Sequence, residues 1–404
     1  MSPKTEPIRE ILAAQRLEHV RYSIRDIAVL ADELAREGKE IIPLNIGDPP
    51  AFDFDVPEHL IEAVAKAMRD GKNGYGPSLG VDEALEAIRG VAERKGIRNI
   101  PSIFITSGVS EGVDICLSAL VNPGENVLTP CPEYPLYSAV LAKLGAQPNV
   151  YYLNEDSAWQ PDLEHMASRI LAGTRAIVLI NPNNPTGAVY SRETLETIAE
   201  YARQNNLVIL SDEIYDELEL DGETHVSIAA LAPDVPVITF GGLSKGYLVP
   251  GWRLGWAIVS GPAAPLAAYI EGMYKLLRAR LSANHAIQYA VKPALEGPQD
   301  HLDEVIAKLR SRRDLTVKYC NAAPRLSCVP PRGAFYAFPR IDIPDSDEDF
   351  VKQLLIEKQV LVVHGSGFGQ APGTKHIRIV FLPDEATLAR AYTAITAFMR
   401  EHYS

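Results

Sequence analysis

The sequence predicts an α/β protein, with a mostly parallel sheet between helices and a smaller α+β domain beside it. Three observations predict this. Short, continuous apolar runs alternate with helical patterns through the middle of the chain. Glycine-rich and polar segments follow directly on those runs. After about residue 285 the alternation gives way to a long helical stretch and a few separate strand patterns. Strands covered by helices on both faces are apolar throughout, which is why the first observation implies parallel pairing.

In chain order, Ile103–Thr106, Asn126–Thr129, Ala176–Ile180, Leu207–Leu210 and Val237–Phe240 read as buried strands. Ligands of open parallel sheets gather at the carboxyl ends of the strands. Ser107-Gly108, the segment from Asn181, Ser211-Asp212 and the segment from Gly241 all fall there. A helical stretch, Val113 to Leu120, follows the first strand. Beyond residue 285 come Gly333–Phe338, a charged helix, Val360–Val363, His376–Phe381 and a closing helix. No internal repeat is present.

The chain has 404 residues, enough for two domains with a substantial core, and a formal net charge of -13. That charge argues against nucleic acid or an anionic membrane as partner, since phosphate binding needs a basic footprint. No apolar run approaches a membrane span. Lys4, Glu6, Arg9 and Glu10 interrupt the start of the chain, which lacks the apolar core of a secretory signal. The expected location is the cytoplasm. Cys116, Cys131, Cys320 and Cys328 form no CxxC pair and have no neighbouring histidine, so no metal site is expected. Asp345, Asp347 and Asp349 space like a calcium loop, but Phe350 and Ile356 stand where its glycine and bidentate glutamate belong. Gly365, Gly367 and Gly369 lead to Pro372 rather than a helix, so no nicotinamide site is expected either.

Lys245 closes the small-residue run Gly241–Lys245, and Arg253 lies shortly beyond in Pro250–Trp256. A lysine in such a turn suits an amine that holds a carbonyl group beside a phosphate. To act as a base it must be neutral, and a cation such as Arg253 pushes its pKa down. Asp212 ends an apolar strand, where a buried carboxylate needs a partner or a capping role. Tyr215 stands three residues on, within reach of the same ligand. Asn184-Pro185-Thr186-Gly187 has turn composition, yet follows a buried strand directly. Ser107, Gly108, Val109 and Ser110 precede a helix, whose first amides can hold a phosphate. Arg378 interrupts an apolar strand; a bidentate grip on a carboxylate would satisfy its guanidinium.

In this order, Asn181–Gly187, Ser211–Tyr215 and Gly241–Arg253 resemble the class I/II, fold-type I aminotransferases that use pyridoxal 5'-phosphate (PLP). The likeness covers nearly the whole chain. It implies a seven-stranded sheet, an N-terminal arm over 1–45 shared with the small domain, a PLP-binding domain over 46–285 and a small domain over 286–404. It implies a Schiff base on Lys245, Asp212 on the pyridinium nitrogen, and Asn184 and Tyr215 on the phenolate oxygen. Ser107 to Ser110, Ser244 and Arg253 would take the phosphate, and Tyr134 would stack on the ring. Gly47 would lie over the substrate, with Arg378 and Asn184 on its carboxylate. Tyr75 would reach the neighbouring subunit's phosphate, making a homodimer with shared sites. The family often has a hydroxyl where this chain has Gly242, leaving the hydroxyl on the phosphate open.

Asn45–Pro49, Arg332–Phe338 and His364–Gly369 resemble alanine aminotransferases of the prokaryotic type, whereas Gly241–Arg253 is similar to tyrosine aminotransferases. The C-terminal block builds the part that closes on substrate, which favours transfer from L-alanine to 2-oxoglutarate. Aromatic or aspartate transamination is the alternative, followed by a PLP-dependent β-lyase; a DNA-binding regulator of this fold is disfavoured by the acidic balance. Arg278 and Arg280 lie near the distal-carboxylate arginine of aspartate-specific relatives and read as surface residues.

Overall fold

The structure is a computed structural model and describes residues 11–19, 23–222 and 225–403. Its centre is an eight-stranded sheet. In chain order the strands are β1 (Ser102–Thr106), β2 (Asn126–Cys131), β3 (Gln147–Asn154), β4 (Gln160–Pro161), β5 (Thr174–Ile180), β6 (Val208–Asp212), β7 (Val237–Gly242) and β8 (Gly255–Ser260). In space the order is β1-β8-β7-β6-β5-β2-β3-β4. From β7 across to β3 every pairing is parallel, while β8 runs antiparallel to both β7 and β1. The segment from Leu243 to Leu254 contains no α-helix, so β8 returns directly beside β7, which forces the reversal.

The expected strands fall on β1, β2, β5, β6 and β7, with Leu207 just ahead of the start of β6. β3 alternates buried and partly exposed residues towards the sheet edge, and β8 opens on Gly255 within the Pro250–Trp256 motif. Neither has the continuous apolar run of a central parallel strand. The expected seven strands become eight because β4 folds back on β3, pairing Leu153 with Pro161 and Asn154 with Gln160. A proline fits such an outermost strand, where its missing N–H leaves no ladder bond unmade.

Side-chain alternation divides the sheet's two faces between two cores. Ile177, Leu179 and Ile209 pack with Leu195, Ile198 and Ile287 on one face. Val178, Ile180 and Leu210 pack with Val113, Leu117 and Tyr137 on the other. A third core joins Ile27, Ile42 and Leu44 of the N-terminal region to Phe350, Leu354, Ile379 and Phe398. There Ile42–Pro43 pairs in parallel with Val360–Leu361, and Tyr336–Ala337, Ile377–Val380 and Val363–His364 form a small antiparallel sheet. The molecule therefore has a sheet lobe and a C-terminal lobe. Among the described residues, no helix is long and apolar enough to cross a membrane.

Candidate active site

At the carboxyl edge of the sheet, beneath the C-terminal lobe, lies a cavity of about 260 Å³. Gly47, Val109, Ser110, Tyr134, Asn184, Asp212, Tyr215, Ser244, Lys245, Arg253 and Arg378 all line it. The ends of β5, β6 and β7 supply Asn184, Asp212 and Lys245, as expected of strands that point their last residues the same way. Arg253 comes from the segment leading into β8, whose reversed direction brings its beginning to this edge.

Lys245 Nζ donates to the Gly47 carbonyl at 2.8 Å and lies 5.5 Å from the centre of the Phe335 ring. Its pKa is lowered to about 8. Burial is the largest cause; Arg378 and Arg253 add to it, while Asp48 and Asp212 oppose it. Asp212 is buried, and that burial pushes its carboxyl up to about 6. Tyr137 donates to its Oδ2 at 3.1 Å and the Ile214 amide to its Oδ1 at 3.3 Å, and both pull the value back down. Tyr215 and Tyr336 meet hydroxyl to hydroxyl at 2.9 Å, and burial raises the Tyr215 phenol well above its ordinary value.

Arg378 sits on the small antiparallel sheet, 2% exposed. Its guanidinium lies between the Tyr336 and Phe368 rings, with centroid distances of 4.8 and 4.6 Å. Nη1 donates to Asn184 Oδ1 at 3.3 Å and Nη2 to the Asn45 carbonyl. Stacked aromatic faces keep such a guanidinium planar and aimed while leaving its edge for a carboxylate.

Arg253, Ser244 and the first turn of the helix Val109–Leu120 line the cavity, and the Arg253 guanidinium lies against the start of that helix. That helix has Gly108 at its cap, with φ 75° and no side chain on its free amides. A β-carbon at Gly108 would lie 2.5 Å from Arg253 Nη2, so only glycine lets the guanidinium come this close to the helix start. Gly242 has a similar explanation: a β-carbon there would lie 2.8 Å from the Leu254 carbonyl oxygen. The close β7–β8 pairing excludes a hydroxyl side chain at that position, and the serines that line the cavity are Ser110 and Ser244.

Ser107, Tyr75, Arg278 and Arg280 do not line the cavity. The Ser107 amide is taken by Glu111 Oε2 at 2.7 Å and so is not open to a phosphate. Tyr75 is 83% exposed and lies outside the cavity of its own chain. Arg278 pairs with Glu271 on the surface. Arg280 departs from its surface reading: its side chain is 15% exposed, donating to Glu111 at 2.8 Å and to the Ser78 and Ile105 carbonyls at 3.0 and 2.8 Å. Sequence reasoning passed over Tyr137, Tyr336, Phe335 and Asn45. Tyr137 had a signal: a tyrosine inside an apolar helix needs a partner for its hydroxyl.

The residues fit PLP. A guanidinium beside free helix amides suits a phosphate, Asp212 suits a protonated ring nitrogen, and a buried amine of lowered pKa suits a carbonyl carbon. Such a cavity, on such a sheet, defines an enzyme that works on small carboxylate-bearing amines or carbonyl compounds. Residues 39–395 match the family described as aminotransferase class I and II, and the chain belongs to it. It is similar to the glutamate-pyruvate aminotransferase AlaA of Haemophilus influenzae, 41% identical over 96% of this chain and 98% of that one. The alanine aminotransferase of Mycobacterium bovis is 38% identical over 97% of this chain and 93% of its own. The solved alanine aminotransferase of Pyrococcus furiosus superimposes with a TM-score of 0.94, at 41% identity, over 97% of this chain and 100% of that one.

Proposed function

We propose that the chain is a PLP-dependent alanine aminotransferase, moving the amino group reversibly between L-alanine and 2-oxoglutarate to give pyruvate and L-glutamate. The observation that carries this reading is one cavity holding a lysine amine with pKa near 8, a buried Asp212 and a buried Arg378. The alanine-specific names of relatives at 38–41% identity over nearly the full length support the choice of substrate.

When bound, PLP supplies the electron sink that acidifies the substrate Cα–H. The protein's own residues do the rest. Lys245 Nζ would hold the cofactor's carbonyl carbon and, as a free amine, would take up the substrate's Cα proton. Its lowered pKa makes an appreciable neutral fraction available near neutral pH. Asp212 keeps the ring nitrogen protonated, and Tyr215 and Asn184 address the phenolate oxygen. Arg253, Ser244 and the amides of Val109 and Ser110 take the phosphate. Arg378, steadied by Asn184 and its two aromatic neighbours, grips the α-carboxylate, which is common to all four substrates. Ile46 and Leu136 give the cavity an apolar wall suited to a methyl group.

The exposed Tyr75 supports a homodimer in which that tyrosine enters the partner's site; the two lobes would be separate domains, with the larger spanning 46–285. Four buried free thiols suit the cytoplasm.

A half-reaction tests the reading. L-alanine added to PLP-loaded protein without any keto acid should convert the cofactor absorbance to that of the amine form, and Lys245→Ala should abolish it. Conversion by L-tyrosine or L-aspartate alone would move the substrate to another branch. Release of ammonia and pyruvate from L-cysteine, whose thiol can leave from Cβ, would make the enzyme a lyase.

A further inference from the structure

The small antiparallel sheet turns one face towards the sheet lobe. Alternate residues of a strand share a face, so His376 accompanies Arg378, and Phe338 accompanies Tyr336 on the neighbouring strand. Arg378 and Tyr336 occupy the cavity end of that face. At its other end the His376 ring stacks on Phe338, with centroids 4.7 Å apart and planes 6° from parallel. Trp159 of the sheet lobe meets both rings edge-on, at 5.4 Å from His376 and 5.7 Å from Phe338.

His376 is 2% exposed, and one of its two hydrogen bonds crosses the lobe boundary. Nε2 lies within hydrogen-bond distance, 3.3 Å, of Glu155 Oε2 in the turn between β3 and β4. Nδ1 donates to Gln370 Oε1 at 3.1 Å. The Gln370 amide group in turn donates to Asp347 Oδ2 at 2.9 Å, which fixes the orientation of that amide and makes its oxygen face the ring. Asp347 also accepts from the Ser366 amide at 2.7 Å, and so holds the loop that carries Phe368 against Arg378. Arg340, on the same small-domain face, lies 3.7 Å from the same Glu155 oxygen. One carboxylate of the sheet lobe thus holds two cationic or donor groups of the C-terminal lobe, two residues along the strand from the guanidinium in the cavity.

We propose that Glu155 and His376 form a latch between the lobes that sets where Arg378 meets the substrate carboxylate. His376 is then a positioning residue, acting on binding through Arg378 and not on the chemical step. The inference rests on the reading of Arg378 as the carboxylate grip.

The test uses the PLP-loaded enzyme and the variants Glu155→Ala, Glu155→Gln and Arg378→Lys. Glu155→Ala should raise KM for L-alanine and for 2-oxoglutarate by about tenfold each, the scale of coupling between neighbouring elements, with kcat changed less than about twofold. Inhibition by propionate, which offers a carboxylate and no amine, should weaken by the same factor. PLP affinity should stay unchanged, and Glu155→Gln, which keeps an acceptor for His376, should recover part of the loss. An unchanged KM in Glu155→Ala, beside a raised one in Arg378→Lys, would overturn the latch alone. A parallel loss of kcat, PLP affinity and melting temperature would overturn it too, by making Glu155 a general prop. An unchanged KM in Arg378→Lys would remove the carboxylate grip itself, and the latch with it.

Discussion

Tyr137 donates its hydroxyl hydrogen to Asp212 Oδ2 at 3.1 Å from a position that is itself fully buried. Without that donor and the Ile214 amide, Asp212 would be a nearly bare carboxylate in the protein interior. Even with them its pKa is raised from 3.8 to about 6. Folded protein therefore holds its proton more tightly than unfolded protein between those values. Stability contributed by the protonated form is lost as pH rises through that window.

At about pH 7.5 the whole penalty, up to roughly 3 kcal/mol, should be present in cofactor-free protein. Asp212→Asn removes the charge and keeps the shape. The cofactor-free variant should melt above cofactor-free wild type at that pH, and the gap should close as pH falls to about 4. Thermal denaturation across the pH range measures this. The same substitution should cost the loaded enzyme most of its activity, because the ring nitrogen loses its anionic partner.

Tyr137→Phe makes the opposite change, leaving the carboxylate and taking away its donor. A hydrogen bond to a charged group contributes about 1.5–3 kcal/mol, so PLP should bind at least about tenfold more weakly. Equilibrium titration of cofactor-free protein would show it. An unchanged dissociation constant would mean that water replaces the hydroxyl without loss.

The Lys245 amine should titrate near pH 8 in cofactor-free protein. Its labelling by an amine-selective reagent should rise with a midpoint there, well below that of surface lysines. Arg378 and Arg253 both depress the value, so Arg378→Ala should move the midpoint upward. Peptide mapping of the label identifies the lysine.

Gly242→Ser and Ser244→Ala separate two ways of losing phosphate affinity. The first places a β-carbon 2.8 Å from the Leu254 carbonyl oxygen and should lower stability by about 1–3 kcal/mol, the range for overpacking. The second removes a hydroxyl at the cavity wall and should weaken PLP binding with little change in melting temperature. Measuring both quantities for both variants tells steric damage from a lost contact.

Most of the chemistry was legible because strand ends announce themselves. Asp212 and Lys245 follow apolar runs whose direction dictates where the next residue goes. Tyr137, Phe335 and Tyr336 were not legible as site residues, since aromatic residues in apolar segments look alike whether they pack or donate. β3 and β8 were missed for a different reason: an edge strand alternates, and a strand opening on glycine lacks the apolar run. Arg280 shows the limit from the charged side. Its partners Glu111, Ser78 and Ile105 lie far away in sequence, and only the folded sheet brings them together.

The reversed strand β8 divides the chain into places where length matters and places where it does not. Its beginning delivers Arg253 to the working edge, so the seven residues 246–252 are a fixed ruler between Lys245 and Arg253. Its end, at Ser260, emerges on the opposite rim of the sheet, followed by Gly261 and Pro262 before the next helix. Residues added a little further on, at the exposed Ala263 and Ala264, would face solvent and leave the register of every functional group untouched. A single residue added inside the ruler would shift Arg253 relative to Lys245, and no adjustment elsewhere in the fold could restore the spacing.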